Sequence, residues 1–563
     1  MKYSIAKNVQ IVIALLKAHG INQLVLSPGG TNAPFIRGIQ DDKFFTCYSI
    51  VDERSALYFA IGLYLASGNS IAVCCTSAQA TRNYLPGLTE AFYKHVPILA
   101  ITFSKHPQYT YQDYMQAPDQ TSIPKDSVRA SFSLPYVSND HDRLHCERLV
   151  NEAILALNHH TPAPVQLNVP MLDSELSIDI DTDLPNVKVV RRIEKNIKEK
   201  INVSNKKVLL VIGENRGFDN AMLVEFARKS NTAIYVNHLS NVNNKYTVFG
   251  NLLLTCIDQK TFDDNLCPDI LITIGGQTGD YPLYHKLAES NVNYEHWRVS
   301  EEGNVVDTYD HLTRIYECSP YDFFQRVLAE SEDNDYFEKW SMAIERCTTE
   351  IDLPISAAYI AQRMCSLIPI DSYVNFSILN SLRIWNYFRF KNRVKCFCNV
   401  GAFGIDGCMS TFLGQSVTTD ALCYLFIGDL SFFYDMNSLG IRHIKNNVRI
   451  ILINNNGGVE FKIGKTPERN QIIDKYIAAA GHFKNAAGWA ISNGFDYYEV
   501  KDKETFCQIE MKLTEESNKP ILVEVITSDL NDSNAYKLIK KANDNRSFVK
   551  KVITQVKHKI KKM

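Results

Sequence analysis

The chain has almost no net charge: 60 Lys and Arg against 62 Asp and Glu leave −2 over 563 residues. A balance that close supplies no global field to hold a nucleic-acid backbone or an anionic membrane, so neither partner is expected. Long apolar runs are also missing near the start. The N-terminal stretch has one unbroken run, Ile11 to Leu16, too short for a signal h-region or a membrane span, which points to a cytoplasmic protein. The 14 cysteines contain no C-x-x-C pair, so a zinc or iron–sulfur site is not indicated. They are sparse in a chain this long. Several, such as Cys74 with Cys75 and Cys396 with Cys398, lie in apolar runs and read as small buried hydrophobes in a reducing compartment. No repeat of short period is visible.

What is present is ordinary globular material, 45% hydrophobic and 22% charged, in a chain too long for one core. Two or three domains are expected. An amphipathic helix over residues 4–19 ends at Gly20, and the segment from Ile21 reads as a strand running into S-P-G-G-T-N at Ser27. Strands at Ile71 and Val96 enclose a helix around Ala80 to Tyr93, and a helix and a strand at Pro164 follow. Unbroken apolar strands of this kind suit a parallel sheet covered on both faces. A charged run from Lys188 to Lys206 reads as a linker into a second α/β unit, and a helical connector from Tyr336 to Thr349 leads into a third. The expected fold class is therefore α/β, with three doubly wound parallel-sheet domains over 1–183, 184–345 and 346–563, the first and third sharing one plan. A last helix aligns Val549, Val552, Ile553, Val556 and Ile560 among lysines; it reads as docked by an apolar stripe, with a membrane-surface role as the alternative.

The chemistry gathers around G-D-L-S-F-F-Y-D-M-N-S-L at Gly428, followed by a basic segment, the apolar run R-I-I-L-I at Arg449, and N-N-N-G-G at Asn454. This is the pattern of a βαβ unit, whose two parallel strands end at one sheet edge and bring their polar tips together there. Asp429, Asn455 and the Gly457 carbonyl offer the oxygen ligands a hard divalent cation takes, and glycines at 428, 457 and 458 allow close backbone approach to a diphosphate. A capping Asp and an Asn turn would read the same way. The spacing resembles the diphosphate and metal motif of thiamine-diphosphate (ThDP) enzymes. Elsewhere, the turn at Ser27 places N–H groups at a helix start, either for an anion or as a plain βα turn. Asp52 and Glu53 open a long, mostly apolar helix whose outer surface should be covered by protein, and dipole compensation is the plainer role for these carboxylates. A polar, aromatic loop from Lys105 to Asp119 leaves a strand end, where ligand sites of α/β folds lie.

Taken together, Ser27-Pro-Gly, Asp52-Glu-Arg-Ser, C-T-S at Cys75 with N-Y-L-P at Asn83, N-S-L at Asn380, G-I-D-G at Gly404, the Gly428 run and the Asn454 run occur in an order and spacing that resemble the SEPHCHC synthase family over nearly the full length. These are ThDP-dependent, 2-oxoglutarate-decarboxylating synthases of menaquinone biosynthesis. The resemblance implies an N-terminal pyrimidine-binding domain, a central domain without flavin, and a C-terminal diphosphate domain. It implies a homodimer or homotetramer with the cofactor between the N-terminal domain of one subunit and the C-terminal domain of another. It further implies that Glu53 shares a proton with N1′ of the aminopyrimidine, and that Asp429, Asn455 and Gly457 hold Mg²⁺ or Mn²⁺. Ser381, Gly428, Leu430 and Ser431 would lie along the diphosphate, Asn456 at the cofactor, and Ile405 beneath it as the apolar wedge.

The substrate positions depart from the family. Its members read carboxylate-rich substrates with arginines, whose bidentate pairing is hard to replace. Here Gly30 and Thr31 stand for a Ser-Arg, other arginines fall on Trp385, Val400 and near Thr273, and one becomes Lys105; Gln116 keeps its counterpart. At about 1.5–3 kcal/mol per charged hydrogen bond, losing several should weaken binding of a tricarboxylic substrate pair by several kcal/mol. Isochorismate is therefore not secured as acceptor. Arg82 and Glu460 stand where the family has small or apolar residues; Glu460 either acts on the reacting species or is a surface carboxylate paired with Lys462. The sequence thus describes decarboxylation of a small 2-oxo acid with transfer of the acyl anion to an acceptor. Glu53, Gln116 and Glu460 are the catalytic candidates, and Gly30, Thr31, Arg82 and Lys105 the substrate contacts. A simple decarboxylase releasing aldehyde is one alternative. A non-catalytic ThDP-binding paralogue is the other, against which the presence of both Glu53 and the metal set argues.

Overall fold

The computed structural model describes residues 2–194, 200–215, 217–328 and 335–544. The stripe from Val549 to Ile560 lies outside the described residues. Two compact units are formed, one from residues 1–194 with 303–315 and the other from 195–302 with 316–563. No described helix is long and apolar enough to cross a membrane, and the cysteines are all free thiols, nine of the fourteen buried.

The first unit is built on six strands: β1 (Gln23–Leu26), β2 (Thr46–Ser49), β3 (Ile71–Cys75), β4 (Ile98–Lys105), β5 (Ser131–Ser133) and β6 (Val165–Met171). Their order is β2-β1-β3-β4-β6-β5, every pairing parallel. β3 and β6 are both buried along their whole length; β3 reads as a continuous apolar run for that reason, while β6 carries the buried Gln166 and Asn168, whose amides donate to Thr102, Ser104 and the Gln120 carbonyl. Helix α1 (Lys7–Ala18) packs against this sheet, and helix α2 (Glu53–Ser67) is started by the Asp52 side chain accepting the Ser55 N–H and ended by Gly68 at φ +72°. The single helix expected around Ala80 to Tyr93 is two, Gln79–Asn83 and Leu85–Tyr93, meeting at Tyr84. Pro86 has no N–H to continue a helical ladder, but suits the first turn of a new helix. In α2, Ala56, Leu57, Ala60 and Ile61 face inward, whereas Tyr58, Phe59 and Leu65 remain 45%, 42% and 64% exposed.

The second unit holds two large sheets, besides a two-stranded parallel pair of Ile201–Asn202 with Val327–Leu328. The first has β7 (Val208–Ile212), β8 (Thr232–Tyr235), β9 (Thr247–Val248), β10 (Ile270–Ile274) and β11 (Glu295–Val299) in the parallel order β9-β8-β7-β10-β11. The other has β12 (Tyr373–Phe376), β13 (Lys395–Cys398), β14 (Cys423–Gly428), β15 (Val448–Asn454), β16 (Asp496–Val500) and β17 (Ile521–Ile526). Its order, β13-β12-β14-β15-β17-β16, repeats that of the first unit strand for strand, again all parallel. Parallel α/β sheets flanked by helices are thus the architecture throughout. Short helix α3 (Asn380–Trp385) follows β12 and ends in an aromatic core, where the Trp385 ring lies 4.1 Å from Phe426 and 5.2 Å from Phe390.

His238 joins the two sheets of this unit: its Nε2 lies 2.9 Å from the Trp385 carbonyl and 3.0 Å from that of Phe388. Burial lowers its pKa from 6.5 to about 4, against the opposing pull of those two carbonyls. The unfolded chain takes up this proton as pH falls below about 6.5, while the folded chain does so only near 4, so the stability contribution is complete above that window and is lost through it. The expected loss is about 3 kcal/mol, at about 1.4 kcal/mol per pH unit. Between about pH 7 and 4 the denaturant midpoint of the native protein should fall relative to that of His238→Gln, whose amide keeps a donor but does not titrate; a constant difference between the two across this range would exclude the His238 contribution.

Candidate active site

β14 ends at Gly428 and β15 at Asn454, with Gly428 registered against Ile453, so the residues that follow emerge side by side. Asp429 is 2% exposed, and among the described residues no Lys or Arg pairs with it. Its Oδ2 accepts the N–H groups of Asn455 at 3.1 Å and Gly457 at 3.0 Å and lies 3.1 Å from His482 Nε2; Oδ1 accepts the Leu430 N–H at 2.6 Å. The loop is braced from outside, Gly458 N–H reaching Ala478 O and Gly481 N–H reaching Asn456 O. Asn456 is left-handed at φ +64° and Gly457 sits at +146°, where a Cβ would stand 2.8 Å from Ala480 Cα. Only glycine fits there.

Asn455 donates from Nδ2 to Asp532 Oδ2 at 2.9 Å, and its Oδ1 is buried without a donor. Burial pushes the Asp532 carboxyl up to about 6, with the charges of Asp429 and Asp529 adding to the rise. Nearby, Ser431 Oγ donates to Ile405 O at 2.6 Å, Ser377 Oγ donates to Ser381 Oγ at 3.0 Å, and a Cβ on Gly428 would meet no atom within 4 Å. A buried carboxylate with no lysine or arginine paired to it, next in the loop to a buried amide oxygen without a donor, fits a hard cation, and the open space over Gly428 fits a diphosphate.

In the first unit, Glu53 is the first residue of α2 and accepts from Asn83 Nδ2 at 3.0 Å. This contact joins two of the sequence motifs. Thr31, 3% exposed, uses its hydroxyl on Thr76 Oγ1 at 2.7 Å and the Ser77 N–H at 3.1 Å, so it holds the turn together, while Gly30 is exposed with open space around it. Arg82 donates to the Asp119 carbonyl at 3.1 Å. Lys105, at the end of β4, pairs with Asp173 at 2.5 Å, and Tyr114 donates to the other Asp173 oxygen at 3.0 Å. Gln116 is exposed at φ +58° in a loop where Tyr111 and Asp113 are also left-handed.

Glu460 does not pair with Lys462. It binds Arg383 at 2.6 Å, and Lys462 is taken by Asp474 and Asp529. Glu460 lies in the 3-10 turn Val459–Phe461, where residues two apart point away from each other. Its second oxygen, Oε2, is buried without a donor. The Arg383 guanidinium stacks 5.6 Å over the Tyr281 ring and, with Gly279, Leu379 and Phe403, lines a small cavity. The positions where arginines are missing face inward: Trp385 and Val400 are core residues, and Thr273 bonds His296 at 2.9 Å. Arg383, His482 and Asp532 escaped the sequence reading. For Arg383 the signal was present, since it directly follows N-S-L.

Residues 7–123 match the model of the thiamine pyrophosphate enzyme N-terminal TPP binding domain. The chain is 32% identical to the 2-succinyl-5-enolpyruvyl-6-hydroxy-3-cyclohexene-1-carboxylate (SEPHCHC) synthase of Bacteroides thetaiotaomicron, covering 95% of this chain and 98% of that one. The synthase of the same name from Phocaeicola vulgatus is 32% identical over 94% and 97% of the two chains, and that from Bacteroides fragilis 30% over 95% and 98%. The chain belongs to the SEPHCHC synthase family. It is accordingly a ThDP-dependent enzyme, and the chemistry that comes with the family is ThDP-dependent carbon–carbon bond formation.

Two glycines of the family motif separate folding from cofactor binding. Gly457→Ala forces a Cβ into backbone atoms at a positive φ and should lower the stability of the ligand-free protein by about 1–3 kcal/mol. Gly428→Ala meets open space and should leave that stability unchanged, yet weaken ThDP by about tenfold or more in a calorimetric titration. A Gly428→Ala protein binding ThDP normally would show that the space above Gly428 is not the diphosphate cradle.

Proposed function

We propose that this enzyme decarboxylates a small 2-oxo acid and transfers the resulting acyl group to an acceptor, with Mg²⁺ or Mn²⁺ held by Asp429, Asn455 and the Gly457 carbonyl. The observation that carries it is the buried Asp429 carboxylate bonded to the backbone N–H of Asn455, whose own amide oxygen is buried with no donor, in a family of ThDP enzymes. ThDP, when bound, supplies the carbon nucleophile and the electron sink that decarboxylation needs. Glu53, held by Asn83, exchanges a proton with the aminopyrimidine ring. Ser381, Gly428, Leu430 and Ser431 receive the diphosphate, Asn456 lies at the cofactor, and Ile405 supports it from beneath.

The exposed Tyr58, Phe59 and Leu65 of α2 support a second copy of the chain as the cover beside Glu53, hence a homodimer or a homotetramer built from it. The division into pyrimidine-binding, central and diphosphate-binding domains at 183 and 345 belongs to the same proposal. Whereas Thr31, buried with its hydroxyl on Thr76 and the Ser77 N–H, shapes the turn that presents Gly30, Lys105, Arg82, Gly30 and Gln116 contact the substrates from the N-terminal part. Glu460 and Arg383 do so from the C-terminal part, Arg383 presenting its free donors to a carboxylate while Glu460 holds one edge.

Lys105 and Arg383 already carry acidic partners, which supports a less carboxylate-rich substrate pair than 2-oxoglutarate with isochorismate. The second reading, a decarboxylase releasing free aldehyde, is favoured by the one unpartnered oxygen of Glu460.

Release of CO₂ from a panel of 2-oxo acids, with and without isochorismate, tests all three readings. Glu53→Gln should lower turnover by about 10²–10⁴-fold while ThDP remains bound; full activity in this variant would refute the assignment of Glu53. Turnover raised by isochorismate, with capture of the product, would refute the argument from paired cations. Arg383→Ala should raise KM for the 2-oxo acid about 10–100-fold, the worth of one charged hydrogen bond, with ThDP affinity unchanged; an unchanged KM would remove Arg383 from the substrate site.

A further inference from the structure

The three asparagines of the Asn454 run do different things, and the orientation of the second is set from a distant part of the chain. Asp532 lies 3% exposed in the first turn of helix α4 (Asp529–Ala542). Its Oδ1 accepts the backbone N–H of Ala357 at 2.9 Å and its Oδ2 accepts Asn455 Nδ2 at 2.9 Å. An ionised carboxylate only accepts hydrogen bonds, and an asparagine amide has a donor end and an acceptor end. We infer that Asp532 is a positioning residue: by accepting only, it turns the Asn455 amide so that Nδ2 points inward and Oδ1, buried and without a donor, is presented to a divalent cation at the Asp429 loop. The inference rests on the proposed assignment of Asn455 as a metal ligand.

The chemistry makes the isosteric replacement decisive. With an asparagine at 532, the Ala357 N–H cannot move and still needs an acceptor, so the new amide keeps its oxygen there and turns its NH₂ toward Asn455. Asn455 must then rotate by half a turn, placing its oxygen inward and its NH₂ where the cation sits. The shape of the core is unchanged and the ligand atom is lost. Exchanging the two residues cures this, because an amide at 532 can donate to a carboxylate at 455, whose other oxygen remains free for the metal. Asn455→Asp alone sets two carboxylates against each other and provides no such cure.

The test is Mn²⁺ binding to the full chain at saturating ThDP, read as free Mn²⁺ by electron paramagnetic resonance. Asp532→Asn should weaken Mn²⁺ about 10–100-fold, the usual effect of removing a group that orients a metal ligand. Asn455→Asp should also weaken it, and Asp532→Asn combined with Asn455→Asp should return to within about threefold of the native protein. Native affinity in Asp532→Asn, or no recovery in the double exchange, would overturn the positioning role; a role in folding alone predicts no recovery. Asn455→Ala separates the two levels of the argument. If it leaves Mn²⁺ binding unchanged, the metal assignment itself fails; if it weakens binding while Asp532→Asn does not, only the positioning role fails.

Discussion

A buried carboxylate that no lysine or arginine neutralises has to be satisfied by hydrogen bonds, and the arrangement around Asp429, with His482 Nε2 at 3.1 Å, follows from that requirement. Two N–H groups of the next strand's tip turn inward to meet it, those of Asn455 and Gly457. Aiming both at one oxygen bends the chain through a left-handed Asn456 and through a conformation at Gly457 that a side chain does not tolerate. The bend is then held from three sides. Asn454 reaches back to the fully buried Glu524, which also accepts the Ala486 N–H and the Tyr497 hydroxyl. Asn455 is held by Asp532, and the outer strand of the loop leans on Ala478 and Gly481. Apart from the His482 imidazole at Asp429, each acid in this set is tied by amides, backbone N–H groups and a hydroxyl rather than by lysine or arginine, so the site stays rich in oxygen.

The fold was largely legible because its strands are buried on both faces. β3 and the 450–453 run of β15 leave no polar alternation to misread, and the repeated strand order of the first and last sheets follows from helices alternating with such strands. The meeting of Asp429 and Asn455 was legible for a related reason: they are far apart in sequence but sit at the tips of neighbouring strands, a relation that parallel topology imposes. The helix broken at Tyr84 was lost because apolar periodicity continues through Pro86 while the hydrogen-bond ladder does not.

The remainder was hidden because it depends on contacts that spacing does not encode. Glu460 has a lysine two positions away and an arginine 77 positions before it, and it takes the arginine, because a 3-10 turn aims Lys462 elsewhere. Asp532 sits in the first turn of a helix, where an acid is sufficiently explained by the helix dipole. Its second role appears only once the helix is seen to bring it to Asn455. The same limit applies to the arginines judged missing. Position by position they are absent, yet a guanidinium lies two residues before Trp385, on the same short helix.

A cation that is already paired reads substrate differently from a free one. A free arginine neutralises an incoming carboxylate outright, and a site that collects several such arginines selects for total charge. Arg383 has one edge on Glu460 and its face on Tyr281, and Lys105 has Asp173, so each adds little net charge and a good deal of direction. Holding the guanidinium in place removes rotamer freedom before binding, which lowers the entropy lost when a ligand forms hydrogen bonds with the remaining donors. The acid still competes for those donors, so a second and third carboxylate gain less than the first. If Arg383 and Lys105 line the substrate site as proposed, substrates that offer one carboxylate in the right orientation are favoured over those that offer many, and selection shifts from the amount of charge to its placement.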